Sequence, residues 1–431
     1  MFSVSLLLYF NIIQLEQIDD GEDKMYKKRR DKITKSLKEK SMLIVFSGKP
    51  PRKSEDNFYK FDSNRNFFYL TGINREKFIY VYNNIVENKE LLFIQKPNEK
   101  MEKWIGRFLK EDEAKKISNI EDVKYTEDFN DYLLKTLKEN NIENIYFDIK
   151  NWDIDEPLSQ SQKISKVLVE KYPYIKIKNI NKKIEKLRLI KDEKEIELTQ
   201  KAIDITNESI KNMMKKSSSG MYEYEIVANY NYILNKKGVT TSFDTIAASG
   251  KNSIILHYVN NNSKTQDNDL ILCDLGVKYK EYNSDITRTF PVNGKFTKRQ
   301  EEIYKVVLEA NKEVIKNSKP GRTLEELNDI AKEILFEGCK KLGLLEKKEE
   351  LSNYYYHSVS HFLGLDVHDL GNKKITLKKG MLITVEPGLY IEEEGIGIRI
   401  EDDILITENK AKNLSKNIKK EIKDIESLIK K

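Results

Sequence analysis

Four acidic residues in the second half of the chain interrupt segments that are otherwise apolar and typical of β-strands. Asp274 and Asp285 lie in DLILCDLGVKYKEYNSDITRTF, Glu386 lies in LITVEPGLYI, and Glu401 lies in GIGIRIEDDILI. A buried carboxylate that stays charged and unpaired costs several kcal/mol, so each of these side chains needs a partner. Arg399 could pair with one of them, but it cannot pair with all four.

The first two acids, Asp274 and Asp285, are predicted on consecutive strands joined by a tight connection, which can bring both carboxylates to one face of a hairpin. Two carboxylates so placed repel each other unless a cation joins them. Either residue alone could equally be a turn residue at the end of a strand. The apolar flanks LILC and ITRTF make that alternative poorer for the two together.

The chain has 4 histidines among 431 residues, and three of them lie in HSVSHFLGLDVHD. These are His357, His361 and His368, and the fourth, His257, lies in ASGKNSIILHYVN. Imidazole is the usual neutral metal ligand and proton carrier near physiological pH. A single histidine is more often a core residue than a ligand, but clustering beside carboxylates favours a site.

Asp274, Asp285, Glu386 and Glu401 with one imidazole form an oxygen-rich donor set. Such a set suits Mn(II), Co(II) or Fe(II) better than the sulfur-bearing or histidine-dominated sites of structural zinc. Four acids around one cation are an excess of charge, whereas two metals that share bridging carboxylates and a hydroxide fit that charge. Two metals also supply a hydrolytic arrangement. The sequence contains no HExxH, GxSxG, P-loop or GxGxxG element that competes for this role.

Composition bounds the class of protein. A length of 431 residues favours two domains, with three as the alternative, and 39% hydrophobic with 34% charged residues is typical of soluble globular proteins. The net charge of +6 is spread over mixed-sign runs, so nucleic-acid binding is not indicated. Cys273 and Cys339 form no disulfide framework or CxxC motif, which suits a reducing, cytoplasmic compartment. Cys273 is expected to face the core, opposite Asp274.

The pattern of strands and helices predicts an α/β domain over residues 25–182 and a second domain over residues 183–431. Residues 1–24 begin with an apolar run that is too short to span a bilayer and that lacks the features of a signal peptide. Our hypothesis is that this extension reflects a misassigned start and that translation begins at Met25. Neither secretion nor a membrane partner is expected.

The second domain is predicted to contain two similar halves, each with two helices and a portion of sheet. The predicted helices run over 192–216, 222–237 and 299–317, and a fourth begins at a capping box of Thr323 and Glu326. Strand-like runs include FDTIAASG, SIILHYV, GMLITVEPGLYI and GIGIRIEDDILIT. The Lys-rich tail after Asn409 is predicted to be a solvated helix.

Five ordered segments carry a resemblance to a known family: ILHY, CDLGVKYKEYNSDITRTFPV, HSVSHFLGLDVHD, TVEPGLY and GIRIEDD. They resemble the aminopeptidase P and prolidase family of dimetal peptidases, whose catalytic domain has the pseudo-symmetric pita-bread fold. SGKPPRKSEDNFYKFDSNRNFFYLTGIN is similar to the N-terminal domain of that family. The resemblance therefore covers nearly everything from Met25 onward and implies an α/β domain followed by a pita-bread domain.

The resemblance also implies roles for individual residues. Asp274 would bind one metal, Asp285 and Glu401 would bridge two, and His361 with Glu386 would complete the second. Glu386 would also shuttle a proton from the bridging hydroxide. Three other histidines would line the site without binding metal: His257, His357 and His368. Arg399 would orient a carboxylate. The implied cofactors are two divalent ions, with Mn(II) favoured and Co(II), Fe(II) and Zn(II) as alternatives.

Within the family, SHFLGLDVHD resembles aminopeptidase P more than prolidase, whose equivalent stretch usually reads GHGxGLxxHE. This favours hydrolysis of the N-terminal Xaa-Pro bond of peptides whose second residue is proline. Cleavage of Xaa-Pro dipeptides, creatinase-like hydrolysis of a small molecule, and a non-catalytic peptide-binding or protein-binding relative are the alternatives. A homodimer or homotetramer is expected by family analogy.

Two positions need separate comment. Ser358 stands where the family generally has Gly in an HGxSH pattern, which adds a side chain close to the predicted site. Trp104, in EKWIGRFL, matches a segment that in aminopeptidase P reaches a neighbouring subunit's site. Because that match is short, packing of Trp104 in the core is the expectation from the sequence.

Overall fold

The computed structural model describes residues 22–150 and 153–429. The chain divides into two compact units, and the division lies between Leu187 and Arg188. The sequence predicts the boundary a few residues earlier, between residues 182 and 183. The predicted start at Met25 concerns residues 1–24, most of which lie outside the described residues, so it stays a prediction.

The first unit is built on a six-stranded mixed sheet in the order β4-β3-β2-β1-β5-β6. Its strands are β1 Ser41–Phe46, β2 Ile79–Asn83, β3 Glu90–Ile94, β4 Val123–Tyr125, β5 Asn144–Phe147 and β6 Lys176–Asn179. Its helices are α1 Glu22–Thr34, α2 Arg65–Thr71, α3 Glu99–Ile105, α4 Glu111–Ser118, α5 Phe129–Glu139 and α6 Gln160–Lys171, and α7 Asn181–Arg188 ends at the division. Every residue of β1 is buried, as expected when helices cover both faces of a sheet.

Trp104 does not pack in the core of this unit. The short helix α3 has no buried residue, and the side chain of Trp104 is exposed together with Met101 and Ile105. The expectation of core packing was wrong because the apolar residues of α3 face solvent instead of the sheet.

The second unit contains two pairs of helices in contact with each other and several small sheets. Its helices are α8 Glu193–Lys216, α9 Glu223–Lys237, α10 Lys298–Asn317, α11 Leu324–Lys341 and α12 Ile422–Ile429. The side chain of Asp192 caps α8 in a box with Glu195, and Thr323 caps α11 in a box with Glu326. The four predicted helices are therefore confirmed, with ends within about two residues of the prediction.

The strands of the second unit form the β12-β9-β8 and β13-β16-β17 sheets, the β14-β15 hairpin and the small β11-β10-β7 sheet. Their bounds are β7 Thr240–Thr241, β8 Ile246–Ser249, β9 Leu270–Leu275, β10 Val277–Tyr279, β11 Tyr282–Asn283, β12 Ile286–Pro291, β13 Leu382–Val385, β14 Gly388–Ile391, β15 Ile396–Arg399, β16 Asp402–Ile406 and β17 Ala411–Asn413. Cys273 lies on β9 and is buried in the main apolar core, as predicted.

Two local predictions in this unit were wrong. SIILHYV is not a strand: a short 3-10 turn covers Gly250–Ile254, and His257 follows in an irregular turn. The Lys-rich tail is not a solvated helix, because it forms β17 and then α12, whose Ile425 and Ile429 are buried in the main core. Tertiary contacts with the core override the polar composition of the tail.

None of the helices within the described ranges is both long and apolar enough to cross a membrane.

A buried charged cluster holds the segment that carries the predicted histidines. Asp369 accepts from Arg188 Nη2 at 2.6 Å and from Lys191 Nζ at 2.9 Å, and all three side chains are at most 2% exposed. The second partner of Arg188 is Asp366, whose side chain is 36% exposed. Burial alone would raise the pKa of Asp369, but Lys191 and Arg188 hold it below its ordinary value.

We expect Asp369→Asn to lower the free energy of unfolding by about 3–5 kcal/mol, because Lys191 and Arg188 both lose the buried carboxylate that pairs with them, and Asp366, the other acid beside Arg188, is more exposed. The lowered pKa means that the stabilisation is present at neutral pH. It is lost as the pH falls below about 4 and through the folded-state pKa. Urea unfolding at several pH values measures the difference between the two proteins. Asp366→Asn is the matched control. An equal loss of stability in both variants would contradict the claim that the buried Asp369 contributes more than the more exposed Asp366.

Candidate active site

Three donor atoms from separate parts of the second unit meet at one point. One ligand atom each from Asp285, His361 and Glu401 lies within 4.8 Å of the other two. Asp285 lies in the break between β11 and β12, and Glu401 lies in the break between β15 and β16. Both acids thus stand at interruptions of strands, where a side chain can turn away from the sheet.

The approach of β9 to the residues before β12 depends on Gly276. A Cβ atom at this position would lie 1.9 Å from the carbonyl oxygen of Ser284. The absence of a side chain therefore lets the backbone of Ser284 approach closely, immediately before Asp285. Asp274 lies on β9 directly opposite Thr287 of β12.

His361 is held with one ring nitrogen directed at the acids. Its Nδ1 lies 3.0 Å from the carbonyl oxygen of Phe362, so Nδ1 carries the proton and donates it there. Its Nε2 is then a lone-pair donor, 3.3 Å from Asp285 Oδ2 and 3.5 Å from Glu386 Oε1. The backbone N–H of His361 donates to Thr384 Oγ1 at 3.1 Å. These contacts resemble the outer contacts that orient metal-binding histidines.

Glu386 and Glu401 are each oriented by a threonine. Glu386 lies between β13 and β14, and its Oε1 accepts from Thr384 Oγ1 at 3.2 Å. Glu401 Oε2 accepts from Thr287 Oγ1 at 2.8 Å. The sequence predicts both acids inside strands, whereas they lie in the breaks between β13 and β14 and between β15 and β16.

Asp274 has one oxygen paired and one without a partner. Its Oδ2 accepts from Arg399 Nη2 at 2.7 Å. Its Oδ1 is buried and has no hydrogen-bond partner within the described part of the chain. A buried carboxylate oxygen in this state is costly unless another group supplies positive charge.

The electrostatics of the acids indicate an excess of negative charge. Burial raises the pKa of Asp285 well above its usual range, and the neighbouring Asp274, Asp403 and Glu386 raise it further. Burial and the charge of Asp285 also raise the pKa of Glu401 well above its usual range. Burial also raises the pKa of Glu386, although His361 and Arg399 oppose this shift.

Together with the orphaned oxygen of Asp274 and the free Nε2 of His361, these repelling carboxylates fit divalent cations. The residues present are oxygen donors with one imidazole, and the one positive charge of Arg399 cannot neutralise all of the acids.

Arg399 connects the acids to His357 through Tyr390. Its Nη1 donates to the Tyr390 hydroxyl at 2.9 Å, and that hydroxyl lies 2.8 Å from His357 Nε2. The Nε of Arg399 donates to Thr287 Oγ1 at 3.0 Å. Burial lowers the pKa of His357 to about 4, and Arg399 lowers it as well. His357 is therefore neutral at physiological pH and accepts a hydrogen bond from Tyr390.

The other two histidines lie at the exposed side of this group. The ring centre of His368 is 4.2 Å from that of His361, and His368 is exposed. His257 is also exposed, in the turn that follows Gly250–Ile254. Ser358, the departure from the family pattern, accepts from Lys373 Nζ through its hydroxyl and from His357 Nδ1 through its carbonyl.

Sequence reasoning missed four polar residues of this site: Thr287, Thr384, Tyr390 and Asp403. Asp403 Oδ2 accepts from the backbone N–H of Asp285 at 3.2 Å. A period-two pattern gave no clear signal, because Thr287 and Thr289 alternate with Ile286, Arg288 and Phe290, and Arg288 is charged.

Comparison with known proteins agrees with this geometry. Residues 197–408 match the model of metallopeptidase family M24, and residues 26–146 match that of the aminopeptidase P N-terminal domain. A Haemophilus influenzae Xaa-Pro aminopeptidase is 35% identical over 428 residues, covering 94% of this chain and 96% of the relative.

A second curated relative, the Xaa-Pro dipeptidase of Pyrococcus furiosus, is 38% identical over 291 residues, which cover 66% of this chain and 79% of that relative. Among solved structures, a Bacillus anthracis protein assigned to aminopeptidase P is 43% identical, with a TM-score of 0.92. That match covers 94% of this chain and 98% of the other. The α/β N-terminal domain and the pita-bread catalytic domain that the sequence predicted are confirmed. The chain belongs to metallopeptidase family M24 and carries the N-terminal domain of aminopeptidase P.

Proposed function

We propose that this chain is a metal-dependent Xaa-Pro aminopeptidase, which releases the first residue of peptides whose second residue is proline. The observation that carries the proposal is the convergence of Asp285, His361 and Glu401 beside two partly buried acids, Asp274 and Glu386. Similarity to a Xaa-Pro aminopeptidase over nearly the whole chain supports the substrate class.

Two divalent ions are the proposed cofactors. Asp274 would bind one ion, Asp285 and Glu401 would bind both, and His361 with Glu386 would complete the second position. The oxygen-rich donor set favours Mn(II), and Co(II), Fe(II) and Zn(II) are the alternatives. When bound, the ions would supply an activated water and stabilise the negative charge that develops on the scissile carbonyl.

The protein's own groups would handle the proton and the substrate. Glu386 would take up a proton and deliver it to the leaving amine, because its Oε1 lies 3.5 Å from His361 Nε2, beside the converging donors. His357 is neutral, with Nδ1–H donating, and can contact the substrate backbone without adding charge. His257 and His368 lie on the exposed side, where a peptide would approach. Arg399 holds Asp274 in place and, through Tyr390, holds His357.

Coverage favours an aminopeptidase over a dipeptidase. Similarity to the Xaa-Pro dipeptidase covers 66% of this chain, whereas similarity to the Xaa-Pro aminopeptidase covers 94%. The match to the aminopeptidase P N-terminal domain adds to this preference. Xaa-Pro dipeptidase activity and a non-catalytic peptide-binding role are the alternatives.

We also propose a cytoplasmic location and a homodimer or homotetramer, with no nucleic-acid or membrane partner. Both cysteines are free and buried, which suits a reducing compartment. The exposed apolar side chains of α3, including Trp104, are suited to contact a second copy of the chain.

A substrate panel tests the proposal. We expect Mn(II)-loaded protein to cleave Xaa-Pro-Xaa tripeptides faster than Xaa-Pro dipeptides, and to leave Xaa-Ala-Xaa largely intact. Initial rates of release of the first residue measure this. Faster cleavage of the dipeptide would make the chain a prolidase, and cleavage of none of the three would favour the peptide-binding role.

A further inference from the structure

Glu223, the first residue of α9, is a fully buried acid that accepts five hydrogen bonds. Its Oε1 accepts from the backbone N–H of Ser249 at 2.7 Å, from Ser249 Oγ at 2.7 Å and from Asn252 Nδ2 at 3.0 Å. Its Oε2 accepts from the Tyr258 hydroxyl at 2.8 Å and from the backbone N–H of Ser263 at 2.9 Å. All these donors are neutral, so the carboxylate serves no ion pair with them.

The donors belong to one segment, residues 249–263, which begins at the end of β8, forms the first part of the connection to β9 and carries His257. Ser249 and Asn252 precede His257, Tyr258 follows it directly, and Ser263 ends the segment. A single carboxylate thus ties the start, the middle and the end of an otherwise irregular connection. Its position at the first turn of α9 adds the favourable field of a helix N-terminus.

The same segment contacts the hairpin that carries Arg399. The backbone N–H of Gly397 on β15 donates to Ser253 Oγ at 2.7 Å, and a Cβ atom at Gly397 would lie 2.0 Å from the carbonyl oxygen of Ser253. Tyr258 packs in one apolar cluster with Tyr390. The position of His257 relative to Tyr390 therefore depends on how the segment is held.

We propose that Glu223 is a positioning residue for His257, and that it acts by fixing residues 249–263 against the Tyr390 and Arg399 hairpin. The role rests on the proposed function, in which His257 contacts the peptide substrate. None of the five hydrogen bonds to Glu223 described above comes from a proposed metal ligand.

Glu223→Gln tests the role with little change in shape. Whichever oxygen becomes the amide nitrogen, it then faces a backbone or side-chain N–H that can only donate, so at least one anchor of the segment is lost. We expect kcat/KM for an Xaa-Pro-Xaa tripeptide to fall about 10- to 100-fold, the scale of a misplacement of about 1 Å. Glu223→Asp keeps the charge and should recover part of the loss.

A double-mutant cycle separates positioning from general structural support. His257→Ala should remove most of what Glu223 contributes, so the double variant should be no more than about 2-fold worse than His257→Ala alone. Mn(II) affinity, measured by calorimetry, should match the wild-type value. Glu309→Gln, at an exposed position on α10, is the control for replacing a carboxylate with an amide.

Amide hydrogen exchange of residues 249–263 measures how firmly Glu223 holds this segment, and it does not depend on peptide cleavage. Exchange should become faster in Glu223→Gln. If wild-type protein cleaves no peptide, the proposed function fails, and this exchange measurement still decides whether Glu223 holds the segment. Losses that multiply in the double variant, or unchanged exchange in the segment, would overturn the proposal.

Discussion

Asp285→Asn is expected to lower metal-dependent cleavage of an Xaa-Pro-Xaa tripeptide by at least about 100-fold, which is the upper range for loss of an outer-sphere contact. Asp285 lies 3.3 Å from His361 Nε2 and belongs to the converging donor group. The asparagine keeps the shape but loses the negative charge that holds a divalent cation. Steady-state kinetics and Mn(II) calorimetry on the same samples measure the effect.

Asp285→Asn should lower activity but raise the stability of the metal-free protein. In the metal-free protein Asp285 is repelled by Asp274, Asp403 and Glu386, so removing its charge should raise the melting temperature. Mn(II) at about 100 times its Kd should stabilise the wild type by about 2.7 kcal/mol, and this gain should be lost in the variant. Asp329→Asn, on the exposed face of α11, is the matched control. Full activity and full metal stabilisation in Asp285→Asn would contradict its role as a ligand.

Arg399→Lys is expected to lower kcat/KM or Mn(II) affinity by about 10- to 100-fold. The guanidinium donates to Asp274, Thr287 and Tyr390 in three directions, and an ammonium on a flexible stem cannot reproduce this planar arrangement. The lysine keeps the positive charge, so the loss measures geometry.

The matched control is Arg322→Lys, at a side chain that is 39% exposed and makes a long ion pair with Glu326. This control should lose little, because exposed ion pairs contribute about 0–1 kcal/mol. If Arg399→Lys behaves like the control, the planar contacts of Arg399 do not support the site.

The parts of the fold that local chemistry determines were predictable. The capping boxes at Asp192 and Thr323 mark the starts of α8 and α11, because each satisfies backbone N–H groups within a few residues along the chain. The burial of Cys273 followed from strand alternation in the same way. Such features need no knowledge of the rest of the molecule.

The segment around His257 was mispredicted because a distant residue decides its structure. SIILHYV has the composition of a strand, but the Glu223 carboxylate, more than twenty residues earlier, accepts hydrogen bonds from Ser249, Asn252 and Ser263. These contacts stabilise an irregular connection. The prediction of a solvated helix for the Lys-rich tail was wrong for a related reason. The packing of Ile425 in the core cannot be inferred from the Lys-rich composition of that segment.

The candidate site was partly predictable for the same reasons. Acids within apolar segments stand out because burial of an unpaired charge is costly, so Asp274, Asp285, Glu386 and Glu401 could be named from the sequence. Thr287 and Tyr390 could not, because their contacts depend on the register of strands that are distant along the chain. The hydrogen bond from Thr287 Oγ1 to Glu401 Oε2 is an example.

The rate of Xaa-Pro-Xaa cleavage by metal-stripped protein, followed as Mn(II) is added in known equivalents, tests the two-metal hydrolase most sharply. We predict no cleavage without metal, and a rate that rises as Mn(II) is added and reaches a plateau at about two bound ions per chain. Full cleavage in the presence of a strong chelator, or tight Mn(II) binding with no cleavage at any loading, would contradict it.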